Sequence, residues 1–299
     1  MTETRDTWPA ASGQWPPPVA IGGLGGSGTR VFAAMLRHAG LHIGETLNVP
    51  LDNLWFTVLF KRQDWTRRRP DPAEVAVAVR LFVTAMTLGL DGRLAAGDRA
   101  LVDGLRRNLP PEGQWRVGAQ GPHAEALAAS RPGPGPRAWG WKEPNTHIFL
   151  PDLDRRIAGL RYVHVIRDGL DMAFSKNVWQ ALHWGHLFGL SNTPEEPMPV
   201  RQLRFWTAAN RAALDYGTTH MPGRFLVMRY EDVCAEPERC WRRFRRFLGL
   251  PGDAVLAPGL LNPTSIGRSK SHDLSLFPPD LGKAAAALQS EAEALSAGA

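Results

Sequence analysis

The residues best suited to chemistry begin with an unbroken Gly-rich run, Gly22-Gly23-Leu24-Gly25-Gly26-Ser27-Gly28-Thr29-Arg30. It follows a short apolar stretch, Val19–Gly22. It precedes Ser27–Ala39, where Val31, Met35 and Leu36 recur at helical spacing before Gly40. Strand, glycine turn and helix form the arrangement in which successive backbone N–H groups and the positive end of a helix face one anion. Each charge-assisted hydrogen bond in such a nest contributes about 1.5–3 kcal/mol. A tight strand-to-helix turn with no ligand would use the same residues.

Three ligands suit this turn. Gly23-Leu-Gly25-Gly-Ser-Gly28 fits the dinucleotide pattern GxGxxG, and Glu45 lies near the place of a ribose-binding acid. An NTP loop ends in Gly-Lys-Ser/Thr, whereas Gly28 is followed by Thr29-Arg30, which argues against ATP. The third reading is a phosphosulfate loop, which needs no metal. Two later features bear on the choice. Arg167 closes the apolar run Tyr162–Ile166, and Ser175 follows eight residues on. A guanidinium there offers bidentate contact to a dianionic phosphate, and the serine adds a neutral donor. A structural ion pair of Arg167 with Asp168 or Asp171 is the alternative.

Taken together, these segments resemble the PAPS-dependent sulfotransferase family, where PAPS is 3′-phosphoadenosine 5′-phosphosulfate. Arg167-Asp168-Gly169-Leu-Asp171-Met-Ala-Phe-Ser175 looks like its 3′-phosphate motif. Trp139-Gly-Trp141-Lys142-Glu143-Pro144 is similar to the stretch W-G-W-K-E-P of bacterial members, whose lysine reaches the transferring sulfuryl group. Arg229-Tyr230-Glu231-Asp232 with Pro237 resembles the segment whose tyrosine lies near the adenine, and Arg268 matches a last 3′-phosphate contact.

The resemblance implies a P-loop-like three-layer α/β/α fold with a central parallel sheet, and PAPS as co-substrate. It assigns Gly25, Gly26, Ser27, Gly28, Thr29, Arg30, Arg167, Ser175, Tyr230 and Arg268 to the donor. Many relatives carry a cation immediately before Ser-Gly-Thr. Gly26 stands there, so Lys142 is the candidate for the catalytic charge, with a lysine paired to Glu143 as the alternative. The histidine that serves cytosolic relatives as base is replaced by Pro144. Gly44-Glu45 resembles the base context of protein-tyrosine sulfotransferases, which makes Glu45 the first candidate and His147 the second. Asp52 and Trp55, from Leu51–Phe56, and His183 and Trp184, from His183–Pro199, are expected to line the acceptor site. His183 and His186 lack an evident third ligand, so no metal is expected.

The remaining pattern must position these residues. Pro72–Leu90, Gly92–Leu109, Pro151–Ala158, Asp168–Leu182, Val200–Thr219, Glu236–Leu250 and Leu281–Ala297 read as helices. Ala138–Lys142, Arg161–Ile166 and Arg224–Tyr230 read as strands, and His183–Pro199 as a mobile loop. Pro110–Arg137, rich in Gly, Pro and Ala, reads as an irregular excursion. Alternating strands and helices predict a covered parallel sheet.

At 299 residues the chain suits one domain over 19–299 behind a flexible leader at 1–18. Thirty-five Lys and Arg against 29 Asp and Glu give a formal charge of +6, which favours an anionic ligand. No block of five basic residues supports nucleic-acid binding, and Arg67–Arg69 and Arg242–Arg246 read as solvated faces. Cys234 and Cys240 are too few for a disulfide framework. The N-terminal residues lack a signal pattern, and the apolar run Val75–Leu90 contains Arg80 and is too short to span a bilayer. A cytoplasmic sulfotransferase acting on a small-molecule or glycan acceptor by in-line displacement is the resulting expectation. An NAD(P)-dependent oxidoreductase and a non-catalytic nucleotide-binding protein are the alternatives, and oligomeric state is left open.

Overall fold

A computed structural model describes residues 15–107, 138–191, 193–250 and 266–298. The expected excursion at Pro110–Arg137 lies outside them. In chain order the first elements are β1 (Val19–Gly23), α1 (Thr29–His38), α2 (Leu54–Phe60), α3 (Gln63–Arg67), α4 (Pro72–Thr87) and α5 (Ala96–Arg107). Then come β2 (Gly140–Lys142), a 3₁₀ turn at Pro144–Phe149, α6 (Leu150–Arg156), β3 (Arg161–Ile166), α7 (Gly169–Ala173) and α8 (Trp179–Trp184). After a second 3₁₀ turn at Gly185–Phe188 follow α9 (Met198–His220), β4 (Phe225–Arg229), α10 (Tyr230–Ala235) and α11 (Pro237–Leu248). A last 3₁₀ turn at Arg268–Ser271 and α12 (Pro279–Ala297) complete the order.

The strands form one parallel sheet in the order β2-β1-β3-β4, flanked by helices, as the alternating pattern predicts. Its strands are almost wholly buried, which is why β3 reads as a nearly continuous apolar run. Among the described residues no helix is long and apolar enough to cross a membrane.

The described residues group into two compact units. The first comprises 15–20, 40–107, 138–143 and 151–160. Its core is aromatic: Phe56 stacks on Phe60 at 4.4 Å, and Phe82 meets Trp141 edge-on at 4.9 Å. Helix α2 carries no amphipathic signal, because Leu54–Phe60 is apolar nearly all round and buried at every position. Asn53 starts it. Its side chain accepts from Phe56 N and donates to Ile43 O, each at 3.0 Å, and its backbone N–H donates to Lys142 O at 2.8 Å. At α4, Asp71 and Glu74 form a reciprocal capping box ahead of Pro72. Residues 15–18 of the expected leader are fixed: Trp15 is buried, and Pro16 O accepts from Trp139 Nε1 at 2.9 Å.

The second unit comprises 21–39, 144–150, 161–191, 193–250 and 266–298. Here β3 and β4 pair from Tyr162↔Phe225 to Ile166↔Arg229. Helix α1 starts at Thr29 rather than Ser27, because Gly28 caps it in the left-handed region at φ 94°. A Cβ at Gly28 would fall 2.2 Å from the Tyr230 ring, so glycine is required by both conformation and packing.

The single helix expected over Asp168–Leu182 is two. Helix α7 ends at Ala173, whose carbonyl accepts from Gln202 Nε2 at 2.7 Å, as Ser175 O does at 3.0 Å. Ser175 Oγ then accepts from Asn177 N at 3.2 Å, a local bond that competes with continued helix. The expected mobile loop at His183–Pro199 is likewise corrected. Its aromatic part completes α8 and forms a 3₁₀ turn, because Trp184 and Phe188 pack into the core around α9.

Gly28→Ala is expected to destabilise the protein by about 2–3 kcal/mol, through left-handed strain and overpacking on Tyr230. Urea unfolding at pH 7 measures this, and an unchanged midpoint would contradict it.

Candidate active site

In the second unit the glycine loop is held from both sides. Ser27 N donates to Leu24 O at 3.0 Å, closing the turn, while Gly25 N donates to Gln180 Oε1 at 2.6 Å. Gln180 in turn donates to Asn145 Oδ1, which also accepts from Trp184 Nε1 at 3.1 Å. Gly26 lies at φ 101°, and a Cβ there would meet nothing nearer than Met172 at 3.6 Å, with Ser175 Oγ at 3.9 Å. Arg167 Nη1 donates to Gly26 O at 3.5 Å. The loop, Arg167 and Ser175 therefore converge, although about 140 residues separate the first from the others.

Ser27 is 1% exposed, and its hydroxyl has no hydrogen-bond partner among the described residues. A buried orphan donor beside a glycine cradle fits an oxyanion. Thr29 is buried and Arg30 exposed on α1. Tyr230 packs on Gly28 with the Arg167 guanidinium 5.3 Å from its ring centroid. Burial and the neighbouring Cys234 push its phenol up to about 12, so it stays neutral.

Arg167 and Arg268 meet through Asp171, expected from the sequence only as a possible ion-pair partner of Arg167. Asp171 is 2% exposed. Its Oδ1 accepts from Ser269 N and Ser269 Oγ, both at 2.9 Å. Its Oδ2 accepts from Gly267 N at 2.7 Å and from Arg167 Nη2 at 3.4 Å. Its backbone carbonyl accepts from Arg268 Nη1 at 3.3 Å. Burial opposes the charge of this carboxylate, but the Ser269 and Gly267 donors and Arg167 outweigh it and keep its pKa below the usual range. The signal in the sequence was an acid four residues after Arg167; its partners lay a hundred residues away.

In the first unit Lys142 is 2% exposed. Its ammonium donates to Asp52 Oδ1 and, at 2.9 Å, to Pro50 O. The alternative pairing with Glu143 is thus corrected: Glu143 sits 3.3 Å from Lys61, and the lysine's partner is Asp52. Asp52 was expected to line an acceptor site. It sits in a turn, with Asn48 Nδ2 donating to its Oδ2 at 2.8 Å and its own N–H donating to Asn48 Oδ1 at 2.7 Å. Burial raises the cost of its charge, and Lys142 and Lys61 hold its pKa below the usual value all the same. Burial draws Lys61 down to about 8 against the pull of Glu143 and Asp52. Trp55 is buried in α2. Glu45 is exposed, with Oε1 3.5 Å from His42 Nδ1.

His147 belongs to the second unit. Its Nδ1 lies 2.8 Å from Pro144 O, so this nitrogen carries the proton, and Nε2 has no partner among the described residues. Burial lowers its pKa to about 4, leaving a neutral and weak base. His183 lies against Trp179 at 4.4 Å. Trp184, expected in an acceptor wall, is a core residue at 1% exposure. Among the described residues no three His, Cys, Asp or Glu side chains are grouped to hold a metal.

A family model described as "Sulfotransferase family" matches residues 17–254. Similar solved structures include the sulfotransferase domain from the curacin biosynthetic pathway, 17% identical over 92% of this chain and 98% of that one, with a TM-score of 0.49. The sulfotransferase domain of the Synechococcus PCC 7002 olefin synthase is 17% identical over 92% and 95%, at 0.48. A sulfotransferase from Alicyclobacillus acidocaldarius is 16% identical over 94% of each chain, at 0.43. No curated protein matches the chain.

The buried histidines predict an acid limb in stability. His147 and His164 are lowered by burial to about 4 and about 3, whereas both titrate near 6.5 when unfolded. The unfolded chain therefore binds more protons below pH 6.5, and stability falls as pH drops from there toward 4. Each histidine contributes a slope of up to about 1.4 kcal/mol per pH unit. In urea unfolding at pH 6.5, 5.5 and 4.5, His147→Gln is expected to remove about one proton's worth of that slope. A slope identical to wild type would contradict the assignment.

Proposed function

We propose, starting from the membership of this chain in the sulfotransferase family, that it moves a sulfuryl group from PAPS to a hydroxyl or amine of a small-molecule acceptor. The observation that carries the reading is the convergence of the Gly26 turn, Arg167 and Ser175 beside the orphan Ser27 hydroxyl. These are the donors that a nucleotide with both a 5′-phosphosulfate and a 3′-phosphate requires.

PAPS supplies an activated sulfuryl group on a stable leaving nucleotide. The chain's task is positioning and charge. The loop N–H groups of Gly26–Thr29 and the Ser27 hydroxyl hold the 5′ end. Arg167, Ser175 and Arg268 hold the 3′-phosphate, and Tyr230 lies against the adenine. Lys142 is the candidate for the catalytic cation. Asp52 orients that ammonium through a direct hydrogen bond, with Pro50 O as its second acceptor. Glu45 is the first candidate for the base that takes the acceptor's proton during in-line attack. With Nδ1 committed to Pro144 O and a pKa of about 4, His147 is the weaker candidate base.

Adenosine 3′,5′-bisphosphate is expected to raise Tm by several degrees, while NADH and Mg-ATP leave it unchanged. A response to either of the latter alone would overturn the reading. Mass spectrometry of a metabolite extract incubated with enzyme and PAPS, searched for a sulfate increment, identifies the acceptor. With that acceptor and saturating PAPS, Glu45→Gln is expected to lower kcat by about 100-fold or more. Near-normal kcat would remove Glu45 from the mechanism.

A further inference from the structure

We infer that Asp171 is the positioning residue that makes the site select a 3′-phosphorylated nucleotide, by holding the Arg268 turn and Arg167 on one carboxylate. The inference rests on the PAPS reading above and deepens it.

Four donors converge on the Asp171 carboxylate, three of them from Gly267 and Ser269. Those two residues flank Arg268, whose guanidinium reaches the Asp171 backbone carbonyl. Gly267 takes the left-handed conformation at φ 80°, so its N–H and that of Ser269 both reach the carboxylate. Arg268 is thereby fixed at its base through its neighbours and at its head through Nη1. Arg167 is fixed from the same residue one helical turn away. Without the carboxylate, the turn keeps its own backbone bonds, Arg268 on the Asp171 carbonyl and His272 stacked on Phe174 at 4.0 Å, but loses every bond from Gly267 and Ser269 to α7.

The charge pattern supports a positioning role. A carboxylate paired with the Arg167 guanidinium, on the residue whose carbonyl holds Arg268, reduces the net positive charge available to a phosphate. A site built for bulk attraction would omit it. Its gain is geometric: two planar forks are set before the ligand arrives, so less side-chain entropy is lost on binding.

The experiment compares adenosine 3′,5′-bisphosphate with adenosine 5′-monophosphate by calorimetry on the full chain. The quantity read is the ratio of their Kd values. Wild type is expected to prefer the bisphosphate by about 100-fold or more. A wild-type ratio near one would defeat the PAPS reading itself. Asp171→Asn is expected to lower the ratio by about tenfold, with monophosphate affinity held within about threefold of wild type. Arg268→Ala is expected to do the same, and the double variant to lose little more than either single one. A purely structural Asp171 predicts equal loss of both ligands, and an independent one predicts additive losses. Either result, or an unchanged ratio, overturns the inference. If Asp171→Asn fails to fold, Ser269→Ala removes one donor only. It is expected to cut the ratio by about two- to fivefold at constant monophosphate affinity, and no change in the ratio overturns the inference.

Discussion

The second unit depends on the buried carboxylate of Asp171. An ionised acid at 2% exposure is costly unless each lone pair finds a donor. Here three hydrogen bonds from the Gly267–Ser269 segment and one from Arg167 meet it, and these bonds join the end of β3 to a turn a hundred residues later. The satisfaction of the acid and the placement of the arginines are one event. Breaking such an arrangement by removing the acid leaves unpaired polar groups on both segments.

The first unit solves a comparable problem with paired charges. Lys142 with Asp52 and Lys61 with Glu143 place two cations and two anions in the interior. Asn48 and Asn53 then use their amides to hold the turn and the start of α2 against β2. Buried pairs of this kind add little net stability, but losing one partner costs about 3–5 kcal/mol. The short W-K-E-P stretch thus carries two lysine partnerships, one through each of its charged side chains.

Much of this was legible in the sequence, for identifiable reasons. Glycines at 22–28, an apolar β3 ending in Arg167, and the amphipathic α9 and α11 are local signals, and the sheet and its helices follow from them. Partner identity was not legible, because it depends on tertiary placement. Glu143 was the alternative partner for Lys142, yet side chains adjacent along an extended chain point to opposite faces, and Asp52 holds the lysine. Trp184 looked like a loop aromatic, but a core partner, Asn145, satisfies its indole N–H. The break after α7 depended on Gln202 capping carbonyls from another helix.

The Gly25 amide has a consequence of its own. Its N–H is already satisfied by Gln180, a neutral oxygen held in turn by Asn145. Occupation of that amide by an anion is therefore an exchange, in which one hydrogen bond is surrendered for another. Swapping one neutral acceptor for a second gains almost nothing, while a charged acceptor gains roughly the difference between a charge-assisted and an ordinary bond, about 1 kcal/mol. The glutamine gives the loop a defined shape through its bond to the Gly25 amide.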